Sequence, residues 1–500
     1  MALQPVDKLY SNVSDLHEAY GLTDPAQRQA VEEAYGAFRE HSGPFMASIA
    51  AHMLDDLRSD VQNDPNRVVA FLGRDGHSLA AAVRGLDPEF FDQHCREVVV
   101  SRAVVDAALQ DLEKNAGERF PEAEAFRGAR NKVDPADVDG AYRHLTDYLR
   151  GSGIPVGHQG STVTVVDTSF KGTVQELMSA AYPQTEIQGR YAFLATSPHD
   201  PHPGTKQGYV FHQEPDAVWQ GLPQTYLPEQ REQTFGNQDA LGVIEETLHG
   251  PLGSPRSIGA QGPDQLPQRL DQQPLVGLNP VLVAERYRDP QVREAVKAAA
   301  VLAVHDSARA AAESRSAGRD WKGELLQSRE RFTDQVRSWV SQDGRTDGKL
   351  ATVLDSFVRR ADKNVIKDLD KALKHAQVDQ RMAEPLWKQF GGIKSLAEKK
   401  QFLHNVTTPP KGSGKTPEAH LREVVTSASS RPPKGHTSGS SVAQAAALHR
   451  QTGSPGSPAQ PGGSGMQNKR GGSVSGHVSR PVPPRPPQNP QQGKGGGPSR

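Results

Sequence analysis

The pattern of apolar and polar positions divides the chain into four stretches. Between residues 14 and 57 apolar residues recur mostly every fourth position, which predicts a helical lead-in at residues 1–60. From residue 61 to residue 275 short apolar runs alternate with amphipathic stretches. Residues 276–406 show helical periodicity, and we expect their later part, 320–406, to form a helical appendage. Residues 407–500 lose this periodicity and are rich in Pro, Gly, Ser and Gln.

Four apolar runs in the second stretch predict a parallel sheet. The runs are RVVAFLG, EVVVSR, STVTVVD and RYAFLAT, and helical patterns separate them. Continuous apolar runs that alternate with helices are typical of parallel strands buried on both faces. We therefore expect an α/β domain with a Rossmann-like parallel sheet at residues 61–275. The segment GYVFH, in a Pro- and Gly-rich context, fits either one strand of a hairpin or an active-site loop.

Composition and charge restrict the classes of protein. The hydrophobic fraction is 35% and mean hydropathy is −0.64, so part of the chain is expected to stay outside any core. A net charge of −1 gives no general preference for nucleic acid or acidic membranes. Cys95 is the single cysteine, which excludes an internal disulfide and a cysteine-based zinc site. No stretch approaches the roughly 20 apolar residues of a membrane span, and no signal-peptide pattern is visible, so we expect a cytoplasmic protein.

The last stretch, residues 407–500, predicts a disordered basic tail. After Glu423 the sequence has no Asp or Glu. Its basic residues there are Arg431, Lys434, Arg450, Lys469, Arg470, Arg480, Arg485, Lys494 and Arg500. Such a segment cannot bury enough apolar surface to offset its ordering entropy, and RPVPPRPP favours polyproline II. The tail is either a solvated segment or a docking arm for an acidic or proline-recognising protein partner.

Three polar clusters follow predicted strands. They are Arg74-Asp75-Gly76-His77, Ser101-Arg102, and Asp167-Thr168-Ser169 with Lys171-Gly172-Thr173. Ligands of parallel α/β sheets bind outside the carboxyl ends of the strands. The shared position of these clusters therefore predicts one polar pocket.

The stretch VVDTSFKGT is the stronger candidate for a phosphate cradle. Gly172 and Thr173 open a predicted helix, and the N–H groups at a helix N-terminus attract anions. The additional donors are the Lys171 ammonium and the hydroxyls of Thr168, Ser169 and Thr173. Asp167 has the chemistry to hold a metal, orient a ribose hydroxyl or act as a base. The ordinary alternative is a turn in which these polar residues only cap a helix.

FLGRDGH is the second Gly-containing loop before a helix. Arg74 offers a planar fork for phosphate or carboxylate, and Asp75 is a candidate acid, base or metal ligand. His77 fits either proton transfer or helix capping. Arg102, after VVVS, is expected at the same edge. The alternative is a strand-to-helix turn with a surface ion pair.

Two known enzyme classes can be compared with these motifs. A haloacid dehalogenase-type phosphatase needs an Asp nucleophile where this chain has Gly73, which argues against that chemistry. A type I phosphoribosyltransferase has two acidic residues before its Thr/Gly-rich turn. Here Thr168 replaces the second acid and Gly172-Thr173 is offset, although the expected topology fits, with the Arg74 loop in the place of a pyrophosphate loop.

Taken in order, the motifs resemble those of a bacterial domain family. They are FLGRDG, VVVSR, VVDTSFKGTVQEL, GRYAFLAT and IEETLHGPLGS, and they cover residues 67–262. Members of the family often occur beside or fused to polysaccharide glycosyltransferases and carry the label of haloacid dehalogenase-type hydrolases. The resemblance carries over Arg74, Asp75, Gly76, Ser101, Arg102, Asp167, Gly172, Thr173 and Gln175. Ser169 stands where the family has Gly, and Phe170 where it has Trp, so the resemblance implies a site without fixing its reaction.

The His-rich stretch is the other candidate for a metal site. His199 to His202, with His212, supplies suitable ligand types, but a Pro-rich loop rarely fixes metal geometry, and the HExxH spacing is absent. The sequence therefore assigns no metal ligands and does not identify a cofactor. Mg²⁺ is the candidate ion, and Asp75 and Asp167 would hold it.

Two functions follow as hypotheses. The first is binding of a phosphorylated small molecule, a nucleotide or sugar phosphate, by a transferase or hydrolase or by a degenerate enzyme. In it Arg74 and Arg102 offset phosphate charge, and Asp75 and Asp167 form the metal-binding or acid/base pair. The second is a non-catalytic scaffold that acts through its helical region and basic tail.

Overall fold

A computed structural model describes most of the first 429 residues. The described residues are 10–213, 234–248, 253–264, 278–279, 282–359, 362–393, 396–410 and 412–429, and they belong to one compact unit, Met1–Arg431. The side chains of Arg74, Asp75 and Ser169, which the sequence nominated for the site, lie outside the described part. The predicted tail beyond residue 429 also lies outside it.

Five parallel strands form the central sheet, four of them at the apolar runs from which the sequence predicts strands. The strands are β1 (Val68–Leu72), β2 (Cys95–Val98), β3 (Ser161–Phe170), β4 (Thr185–Ala195) and β5 (Lys206–Gln213). Their order across the sheet is β2-β1-β3-β4-β5, and each neighbouring pair is parallel. The α/β prediction is therefore confirmed. GYVFH lies in β5, a fifth parallel strand at the sheet edge, so the hairpin interpretation of that segment is wrong.

Helices account for most of the remaining described residues. Their bounds are α1 (Val13–Ala19), α2 (Pro25–Glu40), α3 (Ser42–Asn63), α4 (Gly73–Leu86), α5 (Pro88–His94), α6 (Arg102–Asn115), α7 (Ala141–Gly151), α8 (Thr173–Ala181), α9 (Gln238–Leu248), α10 (Pro290–Ser316), α11 (Trp321–Ser341), α12 (Gly348–Ser356), α13 (Lys363–His375), α14 (Gln380–Gly391), α15 (Leu396–Thr407) and α16 (Pro417–Ser429). A two-residue hairpin pairs β6 (Ile258–Gly259) with β7 (Gly262–Pro263).

The sheet is covered on both faces, and this explains its continuous apolar strands. In β1, Val69 and Phe71 pack into a core with α2, α3, α4, α10 and α11. Ala70 and Leu72, which alternate with them, pack into a second core with α6, α7 and α8. The predicted lead-in and the first helices of the predicted helical region therefore share a core with the sheet.

A polar stripe ties α3 to three strands. Aspartates at four-residue spacing lie on one side of α3 and accept hydrogen bonds from strand side chains. The contacts are Tyr209 Oη to Asp56 Oδ2 at 2.6 Å, Gln207 Nε2 to Asp56 Oδ2 at 3.1 Å, Arg190 Nη2 to Asp60 Oδ2 at 2.7 Å, and the Thr162 hydroxyl to Asp64 Oδ2. The lead-in is thus fixed to β3, β4 and β5 by hydrogen bonds as well as by apolar packing.

The last four helices, α13 to α16, have an apolar cluster of their own. Leu369, Phe390, Leu421 and Val425 are all buried in it. Helix α16 lies inside the segment predicted to be disordered from residue 407, and its apolar side chains at four-residue spacing explain why it folds. The prediction is therefore wrong for residues 417–429.

Helix α4 follows β1 without a loop, and two glycines make this possible. Gly73 has a φ of 53°, in the left-handed region, and a Cβ on it would lie 3.0 Å from Val100 O. A Cβ on Gly76 would lie 2.9 Å from Val166 O. The first turn of α4 is therefore pressed against the main chain of β3 and of the residues that follow β2.

Replacing Gly76 by alanine should destabilise the protein. The added methyl group meets main-chain atoms that cannot move independently, so we expect the free energy of unfolding to fall by about 1–3 kcal/mol. Gly36 is the matched control, because it lies inside α2 with nothing within 4 Å of a built Cβ. Gly36→Ala should raise the free energy of unfolding by about 0.5–1 kcal/mol. Urea denaturation followed by circular dichroism measures both, and equal effects would contradict the close packing of Gly76.

Candidate functional site

The three predicted clusters lie at one edge of the sheet. Leu72 pairs with Val98 and Phe71 with Val166, so β1 and β2 end level with each other and beside the carboxyl-terminal part of β3. Helices α4, α6 and α8 all begin at this edge. The strand order also reverses here, because β2 and β3 lie on opposite sides of β1. Ligand sites of open parallel sheets occur at such reversals.

The first cluster forms the N-terminal turn of α4. Its N-cap residue, Leu72, makes no side-chain cap, so no capping side chain of the described residues satisfies the first N–H groups of this helix. His77 is buried, and its Nδ1 lies 3.3 Å from Glu97 Oε1 on β2. Glu97 also accepts from Arg84 at 3.2 Å. His77 therefore links α4 to β2, and its Nε2 has no hydrogen-bond partner among the described residues.

The second cluster holds a neighbouring loop. Ser101 caps α6 by accepting from Val104 N at 3.2 Å, and its hydroxyl donates to Pro255 O at 2.6 Å. The sequence predicts that this hydroxyl binds a ligand. Its proton is instead donated to the main chain of Pro255, and this hydrogen bond holds residues 253–264 against α6. Arg102, the first residue of α6, is exposed at the same edge.

The third cluster places neighbouring residues on opposite faces of the sheet. In β3, Val165 faces the core with α8 and Val166 the core with α4. By alternation, Asp167 follows the α8 face and Thr168 the α4 face. Asp167 Oδ1 accepts from the Thr168 main-chain N at 2.7 Å. Thr168 is 3% exposed, and its Oγ1 has no hydrogen-bond partner among the described residues.

The turn into α8 is short and tightly packed. It consists of the exposed Lys171 and the buried Gly172, after which Thr173 begins the helix. Gly172 has a φ of 67°, and a Cβ on it would lie 2.6 Å from Lys206 Cε and 3.0 Å from Tyr191 Oη. Packing alone therefore requires glycine here, whether or not the turn binds phosphate.

Gln175 in the first turn of α8 is fully buried and satisfied. Its Nε2 donates to Ile187 O at 3.1 Å and to Thr205 Oγ1 at 2.9 Å. Its Oε1 accepts from Tyr191 Oη at 2.9 Å. The residue that the resemblance carried over thus joins α8 to β4 and to the loop before β5.

A cluster of charged side chains lies behind this turn, and the sequence patterns do not predict it. Lys206 Nζ forms an ion pair with Glu176 Oε1 and lies 2.8 and 2.9 Å from the two carboxylate oxygens of Asp200. His202 Nδ1 lies 2.6 Å from Glu176 Oε2. Glu176 lies in an ordinary helical pattern and Lys206 in a polar loop sequence, so no local pattern signals that they meet. We call these four residues the Lys206 network.

The network also accounts for part of the His-rich stretch. Asp200 and His202 are engaged by Lys206 and Glu176. Within the described ranges, no three His, Cys, Asp or Glu side chains are arranged to hold a metal ion.

The two faces of β3 differ in charge. On the α8 face, burial raises the pKa of Tyr191 well above its usual value, and the charges of Asp167, Glu176 and Asp200 raise it further. Three carboxylates therefore act on Tyr191, and Lys206 pairs with two of them, Glu176 and Asp200. On the α4 face, the described side chains near the strand ends include the hydroxyl of Thr168 and the carboxylate of Glu97, which pairs with Arg84.

Comparison of the chain with protein-family models, with curated proteins and with solved structures gives no match. None of the described helices combines the length and the apolar character needed to cross a bilayer.

Two hydroxyl deletions at this edge should change stability in opposite directions. Ser101→Ala removes a helix cap and a loop anchor, so the free energy of unfolding should fall by about 1–2 kcal/mol. Thr168→Val removes a buried hydroxyl that bonds no described residue, so the free energy of unfolding should rise by about 1 kcal/mol. Urea denaturation without added ligand measures both. A Thr168→Val variant as unstable as Ser101→Ala would show that this hydroxyl is satisfied in the protein.

Proposed function

We propose that the edge formed by β1, β2 and β3 binds the phosphate group of a small molecule, a nucleotide or a sugar phosphate. The observation that carries this proposal is the Thr168 hydroxyl, buried and without a described partner where the uncapped N-terminus of α4 meets β3. A phosphate oxygen would satisfy both the hydroxyl and the N–H groups of the helix.

We prefer α4 over α8 as the phosphate cradle, because the Thr168 hydroxyl, which bonds no described residue, follows the α4 face of β3. At α8, Glu176 lies in the first turn itself, and the charges of Asp167, Glu176 and Asp200 all act on Tyr191, although Lys206 pairs with two of these carboxylates. The choice of α4 reverses the sequence-based preference for the VVDTSFKGT turn.

The other nominated residues have secondary places in the proposal. Arg74 in the first turn of α4 and exposed Arg102 in that of α6 would offset phosphate charge. Asp167 and Asp75 are the proposed acid/base pair, or the ligands for a substrate-bound Mg²⁺. Ser169 near the end of β3, Lys171 in the turn and Thr173 at the start of α8 would supply further donors.

We propose a class of reaction and no specific substrate. A transferase or hydrolase acting on a phosphorylated substrate fits the site, with the topology expected of a phosphoribosyltransferase-like sheet. The resemblance to the hydrolase-labelled bacterial family remains part of the proposal, as does a cytoplasmic location. A phosphatase nucleophile is not proposed, because Gly73 occupies the end of β1.

Phosphate binding can be tested with Thr168→Val. Wild-type protein should be stabilised in a thermal-shift panel of inorganic phosphate, ADP, ribose 5-phosphate, phosphoribosyl diphosphate and glucose 1-phosphate, with and without Mg²⁺. The variant should bind the best ligand about tenfold more weakly in calorimetry, because one hydrogen bond to a charged group is lost.

Thr164→Val is the matched control. Thr164 is buried on the same strand and the same face, but its hydroxyl accepts from Arg67 at 3.4 Å, away from the carboxyl edge. Its loss should leave ligand affinity unchanged. The proposal fails if no compound in the panel stabilises the wild type, or if Thr168→Val binds as the wild type does.

The alternative proposal, a scaffold acting through its basic tail, requires a revised truncation. A chain ending at Val406 would lose Leu421 and Val425, which are buried against α13 and α14, so its folding would be damaged. A chain ending at Ser429 keeps this cluster. If the tail is a docking arm, pull-downs with that shorter chain should lose the partners that the full chain recovers. Unchanged recovery would make the tail a passive segment.

A further inference from the structure

Lys206 is a buried cation with a defined set of partners. Its side chain is 2% exposed, although it lies at the first position of the edge strand β5. Its ammonium group is held by Glu176 of α8 and by both carboxylate oxygens of Asp200, at 2.8 and 2.9 Å. The Glu176 and Asp200 side chains are 0% and 5% exposed, so these charges depend on one another for compensation.

The stem of the same lysine supports the turn between β3 and α8. A Cβ on Gly172 would lie 2.6 Å from Lys206 Cε and 2.9 Å from its Cδ. The methylene groups therefore lie directly against the main chain of the turn. Any displacement of Lys206 would leave a gap beneath Gly172 and free the turn to move.

The network also fastens the loop between β4 and β5 onto α8. Asp200 belongs to this loop and reaches Lys206, and His202 reaches Glu176 at 2.6 Å. Thr205, at the end of the loop, accepts from Gln175 at 2.9 Å. Three side-chain links thus connect residues 200–206 to the first turn of α8.

We propose that Lys206 is a positioning residue for the candidate site. It holds the turn after β3 in place, and it neutralises two of the three carboxylates that act on the α8 face. Without it, the charges of Glu176 and Asp200 would be uncompensated, and the edge would repel a phosphate more strongly. This inference rests on the proposed phosphate binding, although its effect on the turn does not.

Lys206→Met tests the proposal with two measurements. The variant keeps most of the stem but removes the charge. Its affinity for inorganic phosphate, and for the panel compound that the wild type binds best, should fall about tenfold because of the uncompensated negative charge. Trypsin cleavage at the exposed Lys171, followed by mass spectrometry, should become faster than in the wild type, because Glu176 and Asp200 no longer hold the side chain of residue 206 beneath Gly172.

Lys399→Met is the matched control for the loss of a buried ion pair. Lys399 is 3% exposed and pairs with Asp362, within the helices α13 to α15. Its replacement should lower stability while leaving phosphate affinity and cleavage at Lys171 unchanged. The double variant Lys206→Met/Glu176→Gln should recover part of the lost affinity, because it removes one buried negative charge. A role in stability alone predicts no such recovery.

The outcomes separate this inference from the proposed function. Phosphate affinity and Lys171 cleavage equal to those of the wild type in a folded Lys206→Met variant would overturn it. If the wild type binds no phosphate, the proposed function fails, and the cleavage rates alone decide whether Lys206 holds the turn. If Lys206→Met does not fold, Glu176→Gln replaces it. That variant should bind phosphate several-fold more tightly, and unchanged or weaker binding would contradict the charge argument.

Discussion

Burial of the sheet on both faces is the constraint on which the rest of this structure depends. A parallel sheet needs helices on each side, and here α4 and α10 cover one face while α6, α7 and α8 cover the other. Apolar side chains therefore occupy the strand interiors, and polar groups gather where strands end. The reversal of strand order at β1 then brings the ends of β1, β2 and β3 together at the starts of three helices.

Close packing at this edge has a direct chemical consequence. Gly73, Gly76 and Gly172 each stand where a side chain would collide with main chain or with Lys206. The absence of side chains lets two helix N-termini approach the strand ends, and their N–H groups favour anions. Glycine at these places thus serves both packing and the electrostatics of the edge.

The sequence predicts the strands whose apolar runs are continuous, because burial on both faces leaves a strong local pattern. The sequence does not identify GYVFH as a strand of the parallel sheet, because a strand at the sheet edge among Pro and Gly has no such pattern. Its place in the sheet follows only from its pairing with β4. The sequence also missed α16, whose stability comes from Leu421 and Val425 packing against distant helices.

In the candidate site, too, the sequence predicts some features and misses others. The clusters after β1, β2 and β3 follow from motif position and the geometry of parallel sheets. The Lys206 network does not, because Glu176 and Lys206 are separated by thirty positions and meet only after the sheet has formed. The sequence also does not show that the Ser101 hydroxyl donates its hydrogen bond to Pro255 O.

Successive residues of β3 face opposite sides of the sheet, and this alternation decides which polar side chain lies on each side of the site. Asp167 joins the acidic α8 face, while Thr168 joins the face of α4. Buried hydroxyls elsewhere, such as those of Ser307 and Thr333, donate to the carbonyl four residues earlier in their helices, at 2.7 and 2.8 Å. On a strand the Thr168 hydroxyl has no such carbonyl, and it bonds none of the described residues, which would cost about 1–3 kcal/mol. Two further polar atoms without described partners, His77 Nε2 and Ser78 Oγ, lie on α4 itself. A ligand that satisfies these groups would offset that cost, and this links the least satisfied part of the sheet to the binding that we propose.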